Sequence, residues 1–357
     1  MRSLALPNRI VVSPMCQYSA TDGTANDWHI VHLGGFGLSG PGLVFTEATH
    51  VSPEGRITPR CLGLYSDANE TALVPVVRFF REWTHSAIGV QLAHAGRKGS
   101  TAPPWEGGGP LRGEQAWQTV APSATAYDEG WHVPEALDAA GLQKVRDDFV
   151  GAARRADRIG FDAVELHFAH GYLAHQFLSP LSNRREDRYG GTLENRMRFP
   201  LELFAAVRSV WPERKPLGVR ISATDYVDGG WAVEDSIALA AALRELGCDF
   251  VDVSGGGLSP LQRIDARPGY QVEYAEAVRR AAGVATVAVG LITDPVQAEA
   301  IVSEGKADLV ALARGFLRNP RWTWDAADAL DGDAFVPNQY LRGRSRGASR
   351  IPKPKPT

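Results

Sequence analysis

Two histidines and a tyrosine lie within six positions of one another in the stretch ELHFAHGYLAHQF, residues 165–177. His167, His170 and Tyr172 follow an apolar run typical of a β-strand, and a turn at AHG would let both imidazoles face one site. Paired imidazoles can donate hydrogen bonds to one oxygen or to the two oxygens of a nitro group. A neighbouring phenol can act as a proton donor. The trio indicates a carbonyl-polarising site with an acid, and core histidines satisfied by backbone groups are the alternative.

Eight β-rich segments surround this trio in the sequence, with amphipathic helical segments between them. They read RIVVSP, LVFTEA, AIGVQLAH, AVELHFA, PLGVRIS, FVDVSGG, ATVAVG and LVALAR. Near-continuous hydrophobic character is typical of strands covered on both faces, as in parallel sheets. The alternation predicts an α/β fold, a (β/α)8 TIM barrel, with its site at the carboxyl ends of the strands. We expect one barrel over residues 1–333 with a lid excursion over about residues 99–137, and a C-terminal arm and basic tail over residues 334–357.

Polar or conformationally permissive residues follow most of the predicted strands. They are Ser13, Pro14, Met15, Cys16, Glu47, Ala48, Gln91, His94, His167, Arg220, Gly290 and Arg314. Gly290 and Arg314 close the last two strands, where this architecture commonly holds a phosphate. Arg220 offers a fixed positive charge and Gln91 a hydrogen-bonding amide. Together they suggest flavin mononucleotide (FMN) across the barrel mouth, which would supply the hydride that the histidine–tyrosine trio lacks.

The cysteines and the remaining histidines narrow the chemistry. Cys16, Cys61 and Cys248 form no CxxC motif, which suits a reducing compartment, and they are too few for a four-cysteine zinc or iron–sulfur site. Cys16 could be a covalent nucleophile, a redox sensor or a cofactor neighbour. His29 and His32 have helical spacing, and no nearby carboxylate or cysteine completes a metal set, so we expect packing or capping roles and no metal.

Charge and hydropathy exclude several classes of partner. A net charge of −3 provides no positive excess for a nucleic-acid or acidic-membrane partner. The first residues, MRSLALPNRIVV, lack the apolar core and cleavage site of a secretion signal. The longest uncharged stretch, roughly residues 28–46, is interrupted by glycines and Pro41 and does not read as a membrane helix. These features predict a cytoplasmic protein.

Five segments resemble motifs of the Old Yellow Enzyme family of flavin-dependent ene reductases. They are SPMCQYSA, QLAHAGRK, HFAHGYLAHQFLSPLSNRREDRYGGTLENRMRF, VRISATDY and LARGFLRNP. The resemblance runs in register from Asn8 to about Arg342, and the cysteine of SPMCQYS is similar to the thermophilic-like subgroup. It implies bound FMN, NADPH or NADH as reductant, and reduction of activated C=C bonds in small molecules: enones, maleimides and nitroalkenes.

The resemblance also implies a role for each matching residue that would hold the cofactor. The flavin-binding residues would be Ser13, Pro14, Met15, Cys16, Ala48, Gln91, Arg220, Gly290, Ala313 and Arg314. Within this set, the Cys16 thiol would lie near flavin N5 and tune the reduction potential. Arg220 would stabilise the reduced flavin, and Gly290, Ala313 and Arg314 would hold the phosphate.

A second implied group would handle the substrate. His167 and His170 would bind its carbonyl or nitro oxygen, Tyr18 would form a second hydrogen-bonding wall, and Tyr172 would protonate the α-carbon. Arg342 would reach into the site of a neighbouring subunit, so a homodimer or homotetramer is expected.

Two other functions fit parts of the pattern. A non-redox barrel enzyme could use the histidine pair and Tyr172 as acid and base, with Lys98 as a reactive amine. A flavin-binding redox sensor could use Cys16 as its switch. A dienoyl-thioester reductase of the same clan would need an iron–sulfur cluster, for which the cysteines are missing.

Overall fold

The computed structural model describes residues 1–343. Its barrel strands are β1 (Ile10–Val12), β2 (Leu43–His50), β3 (Ala87–Ala93), β6 (Ala163–Phe168), β7 (Leu217–Ser222), β8 (Phe250–Ser254), β9 (Thr286–Ala288) and β10 (Leu309–Leu312). All are parallel and close in the order β1, β10, β9, β8, β7, β6, β3, β2. Each of the eight predicted segments forms a strand of the closed barrel, which confirms the (β/α)8 prediction.

Helices alternate with these strands around the barrel. They are α1 (Asp27–Gly37), α2 (Asp67–Trp83), α3 (Ala139–Ile159), α4 (Leu173–Leu178), α5 (Leu193–Arg208), α6 (Val233–Glu245), α7 (Val272–Ala282), α8 (Pro295–Ser303), α9 (Arg314–Arg318) and α10 (Trp322–Ala329). The Thr192 side chain caps the start of α5, and Gly160 ends α3 in the left-handed conformation, with φ 98°. The segment GFGLSG, residues 35–40, has the GxGxxG spacing of a dinucleotide-binding loop. It falls at the end of α1, before β2, so it opens no helix as that motif must.

The lower half of the barrel interior is apolar. Phe45 and Phe250 fill it, with ring centroids 6.2 Å apart. The space for these rings comes from Gly89 and Gly218, since a Cβ at either position would collide with the facing ring. Burial of each phenylalanine contributes about 1.5–3 kcal/mol. The N-terminal residues Met1, Leu4 and Leu6 pack against this cluster and cover the barrel bottom.

The upper half of the interior is polar. Four side chains at most 6% exposed occupy it: Gln91, Glu165, Arg220 and Asp252. Strand register sets them side by side, because Gln91 pairs with Glu165 and Arg220 with Asp252. Successive side chains of a strand point to opposite faces, so His167, two residues after Glu165, shares its inward face and lies at the mouth. The charged layer therefore forms the floor of the site.

Residues 99–137 form an irregular excursion after β3, as the Pro- and Gly-rich composition predicts. Two 3-10 turns, Pro104–Glu106 and Gly113–Gln115, lead to a two-stranded ribbon of β4 (Val120–Ala121) and β5 (Glu135–Ala136). Trp105 is 62% exposed and contacts Tyr18 edge-on, with ring centroids 5.6 Å apart. Part of the excursion therefore lies beside the barrel mouth.

The described part of the chain ends in a 3-10 segment, Asn338–Gly343. Tyr340 of this segment packs on Trp324 of α10. Residues 344–357, the greater part of the predicted basic tail, lie outside the described residues. Across residues 1–343, none of the helices combines the length and the apolar character that crossing a bilayer requires.

Candidate active site

The turn after β6 brings His167 and His170 together at the barrel mouth. His170 adopts a left-handed conformation with φ 58°, and Gly171 follows with φ 73°. The turn places His167 Nε2 3.4 Å from His170 Nδ1. Burial, with the positive charge of Arg220 next, holds the pKa of both imidazoles well below the usual range, so both are neutral at pH 7. The strand ends between the two histidines, as their shared site requires.

Neighbouring donors assign the tautomers of the pair. The Ala169 N–H donates to His167 Nδ1 at 3.3 Å, so the proton of this ring is on Nε2. Ser254 Oγ lies 2.8 Å from His170 Nε2, and Gln271 Nε2 donates to Ser254 Oγ at 3.4 Å. This relay lets the serine hydroxyl donate to His170 Nε2, which leaves the proton of that ring on Nδ1. With these tautomers the two facing nitrogens, 3.4 Å apart, both carry protons, and a single oxygen placed beside them could accept from each.

Tyr172 lies directly beside this donor pair. Its ring meets the His167 ring edge-on, with centroids 4.9 Å apart. Burial is the main cause that raises the pKa of Tyr172 well above its ordinary value of 10. The phenol therefore keeps its proton at neutral pH and can act as a donor.

Lys98 lies over the Tyr172 ring, with Nζ 5.3 Å from its centroid. Its ammonium donates to the backbone oxygens of His170, at 2.9 Å, and Gly257, at 2.7 Å. Burial, and then the charge of Arg97, lower the pKa of Lys98 to about 8. The two carbonyls hold the ammonium in place, which argues against Lys98 as the free reactive amine of a non-redox barrel enzyme.

A buried pair that the sequence analysis did not predict, His175 and Asp225, supports this turn. The Gly171 N–H donates to His175 Nδ1 at 2.9 Å, and His175 Nε2 lies 2.9 Å from Asp225 Oδ1. Asp225 also accepts hydrogen bonds from Ser179 Oγ and the Trp231 N–H. The sequence does show a third histidine, His175, three residues after Tyr172. It does not show the partner of His175, because Asp225 lies 50 residues further along the chain.

The loop after β1 forms the opposite wall. Cys16 is partly buried and packs, with Tyr18 and Tyr172, against a small cluster that contains Cys61. Burial, then Cys61 and Glu47, raise the pKa of Cys16 well above its ordinary value. Because nucleophilic attack and thiol oxidation proceed through the thiolate, this environment disfavours the nucleophile and sensor interpretations.

Glu47 lies behind this loop and corrects one expectation about His29. Its Oε2 accepts from the Gln17 N–H at 3.1 Å, and its Oε1 lies 3.4 Å from His29 Nε2. A carboxylate does therefore lie near His29, contrary to the sequence reading. The predicted capping role is confirmed, because His29 Nδ1 accepts the Asn26 N–H at the start of α1.

The residues predicted to bind the flavin ring line the mouth between these walls. A bulge in β2 between Phe45 and Ala48 sets Ala48 beside Gln91. Ser13 Oγ is buried without a hydrogen-bond partner among residues 1–343, and so is Arg220 Nε, which has only an ion pair with Asp252 at 3.3 Å. Unsatisfied buried donors are costly and indicate a missing partner. A ring system with several acceptors, such as isoalloxazine, fits this donor set.

The predicted phosphate residues line a separate cavity of about 150 Å³ next to the mouth. Gly290 borders it with φ 128°, a conformation that only glycine adopts readily. Arg314, the first residue of α9, also lines it, directly after Ala313. Arg220 also borders this cavity, which links it to the ring site. The two arginines in its lining, Arg220 and Arg314, fit a phosphate.

Arg342 is the predicted site residue that the structure leaves outside this assembly. It is exposed in the segment Asn338–Gly343, and no contact joins it to the histidine pair or the phosphate cavity within the described chain. Its predicted role in a neighbouring subunit stays a prediction.

Comparison with known proteins decides the family. A sequence profile described as the NADH:flavin oxidoreductase / NADH oxidase family matches residues 1–332. The chain belongs to this family, the Old Yellow Enzyme family. An NADPH dehydrogenase of Geobacillus thermodenitrificans is 46% identical over 344 residues, which cover 96% of each chain.

Solved structures agree with this assignment. Morphinone reductase in complex with tetrahydroNAD matches with a TM-score of 0.74 at 29% identity, over 94% of this chain and 90% of that one. The old yellow enzyme homologue from Zymomonas mobilis matches with a TM-score of 0.74 at 26% identity, over 92% and 90%. As a member of the Old Yellow Enzyme family, the chain is an NAD(P)H-dependent flavin oxidoreductase with FMN as its cofactor.

Proposed function

We propose that this Old Yellow Enzyme family member is an ene reductase that reduces activated C=C bonds in small molecules such as enones, maleimides and nitroalkenes. The observation that carries the proposal is the pair of neutral imidazoles whose facing nitrogens lie 3.4 Å apart beside a protonated phenol. An activated alkene needs both functions: donors for its electron-withdrawing oxygen and an acid for its α-carbon.

The residues at the mouth would divide the work as follows. When bound, FMN supplies the hydride that reaches the β-carbon of the alkene. His167 Nε2–H and His170 Nδ1–H hold the carbonyl or nitro oxygen and stabilise the negative charge that develops on it. Tyr172 then donates its phenolic proton to the α-carbon, and Tyr18 closes the opposite wall.

The cofactor residues would act around this centre. Gly290, Ala313 and Arg314 hold the phosphate, while Ala48 and Gln91 contact the ring together with the Ser13–Cys16 loop. Arg220 places its guanidinium where it stabilises the negative charge of the reduced cofactor. Cys16 remains a thiol and adjusts the reduction potential as a polarisable neighbour.

The same proposal includes an oligomer. Arg342 lies on an exposed segment away from its own site, as a residue that serves a neighbouring subunit would. We propose a homodimer or homotetramer in which Arg342 completes the substrate site of the adjacent copy. Light scattering of the holoprotein, followed by kinetics of Arg342→Ala, tests this part separately.

The decisive experiment is an absorbance spectrum of the holoprotein from 300 to 700 nm, with anaerobic addition of NADPH and then cyclohexenone. We expect the flavin band to bleach with NADPH and to return with the enone. Bleaching without return for any activated alkene would refute ene reduction and leave a flavin oxidoreductase with another acceptor. NADH in place of NADPH tests the reductant.

A further inference from the structure

Two carboxyl groups lie in the charged layer beneath the barrel mouth and have no part in the mechanism above. Glu165 is fully buried and Asp252 is 1% exposed. Gln91 Nε2 donates to Glu165 Oε1 at 2.7 Å, and Arg220 Nε lies 3.3 Å from Asp252 Oδ2. Each of the two flavin-facing side chains, Gln91 and Arg220, is therefore held from below by one carboxyl group.

The contact with Glu165 determines which end of the Gln91 amide faces the cofactor. An amide donates from its nitrogen and accepts at its oxygen. Glu165 Oε1 accepts from the Gln91 nitrogen whether or not the other oxygen, Oε2, carries a proton. The Gln91 nitrogen is thus directed at Glu165, and its Oε1 accepts no hydrogen bond from residues 1–343. That oxygen is free to accept the ring N–H of a flavin. Without the Glu165 acceptor, both orientations of the amide become available.

The two carboxyl groups share one positive charge. Asp252 forms the ion pair with Arg220, whereas Glu165 Oε2 has no hydrogen-bond partner among the described residues. An unpaired buried carboxylate costs several kcal/mol. Burial, and then repulsion by Asp252, raise the pKa of Glu165 to about 8, although Arg220 and Gln91 oppose the shift. Glu165 is therefore neutral at pH 7 and ionises in the mildly alkaline range.

The groups that face Glu165 come from four strands. Arg220 on β7 and Asp252 on β8 carry charge, and β3 contributes the uncharged amide of Gln91. On its own strand, His167 shares the inward face and is neutral, because burial holds its pKa well below the usual range. A negative charge added above this layer would make ionisation of Glu165 less favourable still.

We propose that Glu165 is a positioning residue of the flavin site, which orients the Gln91 amide and takes up a proton when the flavin is reduced. The inference rests on the proposed position of FMN above Gln91 and Arg220. In the mildly alkaline range the Glu165 carboxylate gains one proton from a buffer acid in solution as two electrons from NAD(P)H add negative charge above it. The bond between that proton and the buffer acid breaks, one O–H bond forms at Glu165, and the buffer is left as its conjugate base. No other bond changes at Glu165.

The proton uptake has a measurable signature in the midpoint potential of the bound flavin. For a two-electron couple, each proton taken up makes the potential fall by about 30 mV per pH unit, the equivalent of tenfold in the equilibrium constant. One proton accompanies reduction to the anionic reduced flavin. Above about pH 8, uptake by Glu165 adds a second proton, so the slope of potential against pH should roughly double.

Three variants separate the two parts of the proposal. Glu165→Gln keeps an acceptor for Gln91 and removes the titration, so we expect FMN affinity within about threefold of the parent and a single slope from pH 6 to pH 9.5. Glu165→Leu removes the acceptor, and we expect FMN dissociation constants at least tenfold higher. Asp252→Asn removes the repelling charge, so the change of slope should move to lower pH. Potentials are measured against reference dyes, and affinities by titration of the apoprotein with FMN.

Each result bears on a distinct statement. A change of slope that persists in Glu165→Gln, or that is missing in the parent, overturns the proton uptake. Native FMN affinity in Glu165→Leu overturns the positioning role; if this variant does not fold, the comparison of Glu165→Gln with the parent still decides the proton uptake. Reoxidation of the parent by cyclohexenone is recorded on the same samples, so ene reduction can stand when the inference fails. An apoprotein that does not bind FMN refutes the proposed site itself.

Discussion

At the scale of single residues, Tyr172 gives the sharpest test of the proposed chemistry. Tyr172→Phe removes the hydroxyl group of the ring that lies edge-on to His167, so we expect protonation of the α-carbon to slow by about 10²–10⁴-fold. Reduction of the flavin by NADPH needs no such proton and should be unchanged. Stopped-flow absorbance resolves the two half-reactions separately.

Tyr127→Phe is the matched control for Tyr172→Phe. Its ring also lies under the Lys98 ammonium, at 4.8 Å, but it has no contact with the histidine pair. We expect near-parental rates for both half-reactions. If the oxidative half-reaction is equally fast in both variants, Tyr172 is not the proton donor.

The sequence predicts some of these residues far better than others. His167, His170 and Tyr172 are adjacent in the chain, so the end of one strand is enough to bring them together. Glu165 and Asp252 are also visible, as single charges within the apolar segments AVELHFA and FVDVSGG. Their meaning depends on strand register, which places both beside Arg220 or Gln91 and which no local pattern encodes. The same holds for the contact between His175 and Asp225.

At the scale of elements, the turn between β6 and α4 fits against the loop after β8. Gly171 has φ 73°, and a Cβ there would collide with the Gly257 carbonyl oxygen. Gly171→Ala therefore adds a backbone clash to left-handed strain, and we expect a loss of about 3 kcal/mol in the free energy of unfolding. The displaced turn should also weaken binding of phenol ligands at the histidine pair. Urea unfolding and ligand titration measure the two effects.

Gly229→Ala provides the control for this clash. Gly229 has φ 72°, nearly the same as Gly171, but its Cβ would meet no atom within 4 Å. We expect a loss of about 1–2 kcal/mol from the left-handed conformation alone, with unchanged ligand affinity. If the two variants lose the same free energy of unfolding, the loop after β8 moves to accommodate the added Cβ at residue 171 and the clash does not destabilise the protein.

The buried pair beneath α4 makes a prediction about acid stability. Burial alone would raise the pKa of Asp225, but His175, with hydrogen bonds from Ser179 and Trp231, outweighs it and lowers the pKa below its ordinary value of 3.8. At pH values above its unfolded-state pKa, such a carboxylate stabilises the folded state. This stabilisation is lost as the pH falls through the lower, folded-state pKa. Asp225→Ala should cost about 3 kcal/mol at pH 7, since it leaves three buried donors unpaired.

The pH dependence separates this pair from a surface interaction. The difference in unfolding free energy between the parent and Asp225→Ala should narrow below about pH 4. Asp67→Ala breaks an exposed ion pair with Arg155 and should change stability by at most about 1 kcal/mol. Chemical unfolding from pH 7 downwards gives both curves. A difference for Asp225→Ala that stays constant with pH would mean that its effect is packing and not charge.

At the scale of the whole molecule, the barrel divides into an apolar lower half that stabilises the fold and a polar upper half that serves the cofactor. The lower half is complete by itself, with Phe45, Phe250 and the N-terminal Met1, Leu4 and Leu6 in contact. The upper half contains buried groups that have no hydrogen-bond partner among residues 1–343, among them Ser13 Oγ. Bound FMN would satisfy such groups, so cofactor binding and stability should be linked.

This linkage can be measured through the phosphate cavity. FMN that binds only the folded state at a hundredfold excess over its dissociation constant stabilises it by about 2.7 kcal/mol. Arg314→Ala removes a charged contact worth about 1.5–3 kcal/mol, so we expect FMN affinity to fall at least tenfold and the FMN-dependent rise in melting temperature to shrink by a few degrees.

Riboflavin lacks the phosphate and should protect parent and variant equally. Arg318→Ala, an exposed arginine on the same helix α9, should behave as the parent with both ligands. If Arg314→Ala keeps the parental preference for FMN over riboflavin, the phosphate binds elsewhere and the position of the flavin across the mouth must be revised.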